Sequence, residues 1–363
     1  PPSVSETVLK AVGAGSSWRG RCGDRQVGNT GVMNAPASFP ASSVEPRAPR
    51  LLDRLIPVSP QWRIPPRKAE RLGWLQLLLG ILVVLGAQMI VGLLAVATGL
   101  VRHGDGAAAR PGVAFVVAIS AVPLTVLGYW LLVRFVGGRP VIELGGRGAA
   151  LRELLAGLAM GALLMGAVIA VLALLGSYHV VDVGWNTGIL VGLQAGIVAG
   201  FTEEILVRGV MLRLIEGWLG TWWALAITAV FFGAAHLGNP QATIFGAAAI
   251  ALEAGILLGA CYLLTRRLWL AIGVHAAWNF VQGGIFGSDI SGTGSGRGLI
   301  EARFTGPDLL TGGVMGIEAS VVAVLLCTAA GVAMLLAVRR RGLVVPPCWR
   351  RSPQAALDGP QPA

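Results

Sequence analysis

The chain has 363 residues, of which 55% are hydrophobic and only 13% are charged. Because soluble globular domains carry about 25% charged residues, this composition excludes an ordinary soluble domain and indicates a protein that lies in a lipid bilayer. The net charge of +10 fits basic residues that flank membrane segments, as at Arg339–Arg341, and we expect no nucleic-acid partner. The excess of arginine over lysine indicates a GC-rich bacterial genome.

Composition divides the chain into three regions. Residues 1–70 are rich in proline, glycine, serine and arginine and show no apolar periodicity, which predicts a disordered basic tail. Residues 71–340 contain the long apolar runs and form the predicted membrane domain. Residues 341–363 are predicted to be a cytoplasmic C-terminal tail.

The apolar runs predict an all-α fold, a polytopic transmembrane bundle of about eight helices, because about 20 apolar residues cross the hydrocarbon core. The predicted segments are 72–100, 113–136, 154–176, 187–214, 222–238, 242–264, 268–285 and 313–338. Lysine and arginine favour cytoplasmic loops, and the alternate loops differ accordingly: Arg266 and Arg267 lie in one, whereas 177–186 has neither residue type. We therefore expect a plasma-membrane protein with both termini in the cytoplasm.

The fourth segment contains the strongest cluster of ionisable residues, Glu203, Glu204 and Arg208. An ionisable side chain at membrane depth is costly and marks a candidate functional site. Residues four apart share a helix face, so we expect Glu204 to pair with Arg208. Glu203 lies about 100° around the helix and has no partner in its own segment, which favours a general base over a purely structural ion network.

Two further motifs place histidines in later segments. Phe232 and His236 lie near the end of the fifth segment, and His275 and Asn279 lie in the seventh. The spacing of four residues puts the imidazole of His275 and the carboxamide of Asn279 on one helix face. A lone membrane histidine is more often a hydrogen-bond donor between helices than a catalyst. Two membrane histidines in a chain that also has a membrane glutamate pair favour one functional site to which all of them contribute.

These residues fit peptide hydrolysis, which needs a base for water and donors for the tetrahedral oxyanion. Glu203 fits the base, and His275 with Asn279, or His236, fits the donors. Alternatively, Glu203, His236 and His275 can hold a divalent metal such as zinc with an open position for water, and Glu204 would then be the base. The HExxH pair of common zinc peptidases is missing, and Asn279 suits an oxyanion hole better than a zinc shell.

Three motifs in this order resemble those of the CAAX-protease and bacteriocin-processing (CPBP) family, which includes the type 2 CAAX prenyl proteases. They are EExxxR at Glu203, Glu204 and Arg208, FxxxH at Phe232 and His236, and HxxxN at His275 and Asn279. The motif core covers residues 183–285. The eight-segment architecture is similar over most of the remaining chain.

The resemblance implies an intramembrane endopeptidase, often described as a metalloprotease, that cuts a membrane-associated protein or peptide. It implies that Glu203 activates water and that His236, His275 and Asn279 complete the site. The resemblance leaves open whether the enzyme uses a metal and whether its substrate is lipidated. The remaining motif residues, Glu204, Arg208 and Phe232, are expected to support the site.

Two further carboxylates, Glu253 and Glu318, lie in predicted membrane segments and have no assigned role. They keep a transporter or channel open as an alternative, although the paired repeats with broken helices that are typical of transporters are not evident. A catalytically inert scaffold or immunity protein is another alternative, since intact motifs do not establish turnover.

Overall fold

The computed structural model describes residues 72–100, 111–294 and 296–350. The predicted disordered tail, residues 1–70, and the last part of the predicted C-terminal tail, residues 351–363, lie outside the described residues. Within the described ranges helices dominate and several are apolar enough to span a membrane, which confirms the all-α multi-pass bundle.

The helices are numbered along the chain: α1 Gly73–Ala97, α2 Pro111–Leu131, α3 Arg147–Leu174, α4 Gly188–Glu204, α5 Arg213–Leu219, α6 Thr221–Ala235, α7 Ile244–Ile250, α8 Ile256–Thr265, α9 Trp269–Asn279, α10 Asp308–Thr311 and α11 Val321–Arg340. Segments of π-helix continue several of them: Leu132–Val136, Ile205–Leu212, Ala251–Gly255 and Phe280–Ile285. Short 3-10 turns lie at Ile142–Leu144, His236–Gly238, Gly313–Met315, Ile317–Ala319 and Cys348–Arg350. Among the described residues, seven continuous helical stretches are long and apolar enough to cross a membrane.

The predicted seventh segment, 268–285, is not one of those seven stretches, because its helix is short. α9 has 11 residues and continues into a π-helical segment of 6 residues. None of residues 269–285 is exposed, since α9 lies between α3 and α4 and contacts both. This helix is therefore a core element of the bundle.

Glycines allow α9 to approach both neighbours closely. A Cβ atom on Gly157 of α3 would lie 2.4 Å from the Leu270 carbonyl oxygen, and one on Gly161 would lie 2.3 Å from the Val274 carbonyl oxygen. On α4, glycines at every fourth position face α9 and its π-helical extension in the same way: Gly192, Gly196 and Gly200. Small residues of this kind let membrane helices pack backbone against backbone.

The last predicted segment, 313–338, is regular helix only from Val321 onward, where α11 begins. The reason lies in Gly312 and Gly316, whose φ angles of 81° and 93° do not fit a right-handed helix. Irregular backbone at membrane depth is tolerated only where protein or water covers it. Residues 315–320 are all buried, so the bundle covers this segment.

A small antiparallel pair of strands, β1 Tyr178–Val183 and β2 Ile300–Phe304, adds a feature that the sequence did not predict. The paired residues are Tyr178 with Phe304, His179 with Arg303, Val180 with Ala302, Asp182 with Glu301 and Val183 with Ile300, with an irregularity between Val180 and Asp182. β1 follows α3 and β2 precedes α10, which places the pair at one end of the bundle.

Buried ion pairs lie at the opposite end of the bundle. Arg266, just after α8, pairs with Glu216 of α5, and Arg267 pairs with Glu153 of α3. Arg266 also donates to the carbonyl oxygen of Leu343, which follows α11. These bonds join four helix ends, and the placement of this end in the cytoplasm stays a prediction from the sequence.

Replacing Gly157 with alanine is expected to lower the free energy of unfolding by about 1–3 kcal/mol, because the new methyl group would overlap backbone atoms of α9. Gly166→Ala on the same helix is the matched control, since nothing lies within 4 Å of its Cβ position. Size-exclusion chromatography of heated samples in detergent gives the midpoint of thermal unfolding. Equal midpoints for the two variants would contradict the close packing of α3 on α9.

Candidate active site

The first motif lies at the junction where α4 ends and the π-helical segment Ile205–Leu212 begins. Glu204 and Arg208 are both buried, and Arg208 Nη1 donates to Glu204 Oε1 at 2.7 Å. Arg208 Nη2 also donates to the carbonyl oxygen of Ala254 at 3.2 Å. The expected Glu204–Arg208 pair is present, and π-helical turns within helices often occur at functional sites.

Glu204 also holds His275 of α9, which is a contact that the sequence did not predict. His275 Nδ1 lies 2.8 Å from Glu204 Oε1, the same oxygen that binds Arg208. Because a carboxylate accepts hydrogen bonds, Nδ1 donates and Nε2 is the ring nitrogen left for other partners. A buried carboxylate in this position orients the imidazole and stabilises positive charge on it.

The ring of Phe232 on α6 contacts three side chains of the motifs. The guanidinium carbon of Arg208 lies 4.5 Å from the ring centroid, which is within the range of cation–π attraction. The rings of His236 and His275 meet Phe232 edge to face, with centroid distances of 5.0 and 5.9 Å. Phe232 therefore sets the spacing between the two imidazoles.

His236 lies where α6 ends and the chain enters a 3-10 turn. Its Nδ1 donates to the Phe232 carbonyl oxygen at 2.7 Å, because a carbonyl group only accepts. Nε2 of His236 is thus the nitrogen left for other partners, as it is in His275. Both histidines carry the same tautomer in their neutral form, with the proton on Nδ1.

Glu203 occupies a different environment from its neighbour Glu204. Its side chain is 38% exposed, and its Oε2 lies 4.0 Å from His275 Nε2. This separation is too long for a direct hydrogen bond, but it fits one bridging water at about 2.8 Å from each atom. Glu203 and His275 are therefore placed to share a water molecule.

A small cavity that is open on one side lies beside the two histidines. His236, His275 and Asn279 line it, so the structure brings these three predicted residues together. Glu203 is not among the lining residues. It lies next to the cavity because its Oε2 is 4.0 Å from Nε2 of His275. The remaining polar lining residues are Glu253, Ser291, Glu318 and Cys327.

Sequence reasoning gave no role to three of these lining residues. Glu253 and Glu318, which are 2% and 3% exposed, carried a signal, because an isolated carboxylate in an apolar run is itself unusual. Ser291 comes from the loop after α9 and carried no comparable signal. Its position depends on how the loop folds back over the bundle.

The predicted metal alternative required Glu203, His236 and His275 to share one ion. Among the described residues, no group of three or more His, Cys, Asp or Glu side chains is arranged to hold a metal ion. The three residues therefore do not fit a zinc site in this arrangement.

The fold and the site define a multi-pass membrane protein with a buried polar site between its helices. Residues 184–281, which contain all three motifs, match the family described as type II CAAX prenyl endopeptidase Rce1-like. This match confirms the family resemblance and supports, at the level of the family, a CAAX-type intramembrane protease. No curated protein and no solved structure matches the chain.

Glu204→Gln is expected to destabilise the protein by about 3–5 kcal/mol, because it leaves the buried Arg208 charge without its carboxylate. Glu203→Gln is the adjacent control and should change stability little, since Glu203 is partly exposed and lies 4.0 Å from His275. The midpoints of thermal unfolding of both variants check this. Equal losses of stability would contradict the different roles of the two glutamates.

Proposed function

We propose that this protein is an intramembrane endopeptidase that hydrolyses a peptide bond of a membrane-associated protein or peptide. The observation that carries the proposal is the setting of His275. Its Nδ1 is held by the buried Glu204 carboxylate, and its Nε2 faces Glu203 across a gap that fits one water. The family match over residues 184–281 supports the same activity.

In the proposed mechanism Glu203 is the general base. It takes a proton from the water between its carboxylate and His275 while the water oxygen attacks the carbonyl carbon of the scissile bond. The carbonyl electron pair moves to oxygen, and the resulting oxyanion accepts hydrogen bonds from the Asn279 amide and protonated His275. Glu203 then returns its proton to the amine nitrogen as the C–N bond breaks.

Glu204 and His236 support this chemistry from fixed positions. Glu204 orients His275 and stabilises the positive charge that lets Nε2 donate to the oxyanion. His236 offers its Nε2 to water or to the peptide, since Nδ1 is engaged by the Phe232 carbonyl oxygen. Removing either residue would loosen the geometry on which Glu203 acts.

The family name makes a prenylated peptide the first substrate to test, because the matched family is described as prenyl endopeptidases. An inert scaffold with the same motifs is the competing function. The two differ in one respect, which is whether peptides are released from membranes in a manner that depends on Glu203.

Glu203→Gln is expected to reduce peptide release by about 10²–10⁴-fold, because glutamine keeps the shape of the side chain but cannot accept the proton. Mass spectrometry of membrane proteins and released peptides compares cells that express the wild type and the variant. Glu301→Gln, on the exposed strand β2, is the control and should leave release unchanged. Identical peptides from the wild type and Glu203→Gln would favour the inert scaffold.

We further propose that hydrolysis proceeds without a metal. Elemental analysis of the purified protein should then find less than about 0.1 zinc per chain, since a structural or catalytic zinc site binds one ion. Peptide release should persist after treatment with a chelator. About one zinc per chain, together with activity lost on chelation and restored by zinc, would overturn this proposal.

A further inference from the structure

The cavity beside the two histidines has a second polar wall, formed by Glu253 and Glu318. Glu253 lies on the π-helical segment Ala251–Gly255, and Glu318 lies on the irregular chain before α11. Both are almost completely buried, and both line the cavity that His236 and His275 also line. Two carboxyl groups therefore line the cavity beside the two histidines, although the proposed mechanism does not use them.

Neither carboxyl group has a lysine or arginine side chain as its partner among the described residues. The carboxyl group of Glu253 is hydrogen-bonded to the thiol of Cys327, and that of Glu318 is hydrogen-bonded to Ser291 and Gln282. One oxygen of Glu318, Oε1, has no hydrogen-bond partner although the residue is only 3% exposed. The two carboxyl groups also act on each other electrostatically, so each adds to the need for a cation.

The cationic groups of the chain meet this need only in part. His236 and His275 act on Glu318 electrostatically across the cavity, but each has its Nδ1 bound elsewhere. Arg208 is held by Glu204 and by the carbonyl oxygen of Ala254, and it does not line the cavity. Lysine and arginine are absent from the described residues that line it. Leaving a buried acceptor without a hydrogen bond costs about 1–3 kcal/mol, so the unpartnered Oε1 of Glu318 marks a position for a donor from outside the chain.

We propose that Glu253 and Glu318 form an acidic subsite that binds a cationic side chain, lysine or arginine, of the peptide substrate beside the scissile bond. This inference rests on the endopeptidase function proposed above. Ammonium and guanidinium groups form charge-assisted hydrogen bonds with carboxylates, which are stronger than neutral ones. Because His275 and Asn279 line the same cavity, a residue bound there lies next to the reacting carbonyl.

The acidic subsite also selects against anions. A substrate that places its free C-terminal carboxylate in this cavity would meet two carboxyl groups with no lysine or arginine in the lining to offset them. The preferred substrate is therefore one that places a basic residue, and not a carboxylate, in this cavity. This preference comes from repulsion of the wrong group as well as from attraction of the right one.

Binding to an inactive enzyme tests the subsite separately from cleavage. Full-length Glu203→Gln protein in phosphatidylcholine nanodiscs is incubated with a randomised library of apolar peptides that each contain one variable segment. Mass spectrometry then compares bound with unbound peptides. Lysine and arginine should be enriched by at least about tenfold, which is the factor that one hydrogen bond to a charged group supplies.

Three variants in the same Glu203→Gln background identify the residues responsible. Adding Glu253→Gln and Glu318→Gln together should abolish the enrichment, and Glu318→Gln alone should reduce it, since glutamine keeps the shape of the side chain without its charge. Adding Glu301→Gln should leave it unchanged. The midpoint of thermal unfolding is measured for each variant, and the single Glu318 variant decides the outcome if the double variant does not fold.

Several results would overturn the subsite: no enrichment of basic residues, equal enrichment in all variants, or a preference for peptides with a free C-terminal carboxylate. Lipid amines offer the same chemistry, so the selection is repeated with phosphatidylethanolamine in the nanodiscs. Loss of peptide selectivity there would assign the subsite to a lipid headgroup and would also overturn the proposal.

Wild-type protein is then mixed with the selected peptides and with unselected ones. If basic peptides are bound selectively but no peptide is cut, the subsite stands and the endopeptidase function fails. If peptides are cut, but neither cleavage nor binding shows a preference for basic residues, the endopeptidase function stands and the subsite fails.

Discussion

One oxygen atom, Oε1 of Glu204, connects the parts of the site to each other. It accepts from Arg208 on its own helix and from His275 on α9, and Arg208 in turn lies over the ring of Phe232 on α6. Three helices are thus tied by a charge that is completely buried. A buried ion pair adds little net stability compared with apolar packing, but removing one partner is severely destabilising. The arrangement therefore fixes the relative positions of Glu204, Arg208 and His275, and it adds little to the free energy of unfolding.

The adjacent glutamates illustrate how helix geometry separates two functions. A step of one residue turns the helix by about 100°, so Glu204 faces the bundle interior while Glu203 remains partly exposed beside His275 Nε2. The buried carboxylate accepts two hydrogen bonds through one oxygen, Oε1, and serves to orient Arg208 and His275. The exposed one keeps its oxygens available for water. Identical side chains acquire different chemistry because of their surroundings alone.

Local spacing predicted the parts of the site that lie within one helix. The Glu204–Arg208 pair follows from residues four apart, and apolar runs predicted most of the spanning helices. The contact between Glu204 and His275 could not be predicted in this way, because it depends on how closely α4 and α9 pack. The position of Glu318 could not be predicted from the sequence either, because glycines with positive φ replace the expected helix with irregular chain.

The short helix α9 has a consequence for how the protein responds to its lipid surroundings. With its π-helical extension it is about 25 Å long at 1.5 Å per residue, which is less than the hydrocarbon thickness of about 30 Å. A lipid-facing helix of that length would have to thin the membrane around it. Because α9 is enclosed by protein, we expect the outer helices to tilt in response to hydrophobic mismatch and His275 and Asn279 to keep their positions. The same site geometry can therefore persist in membranes of different thickness.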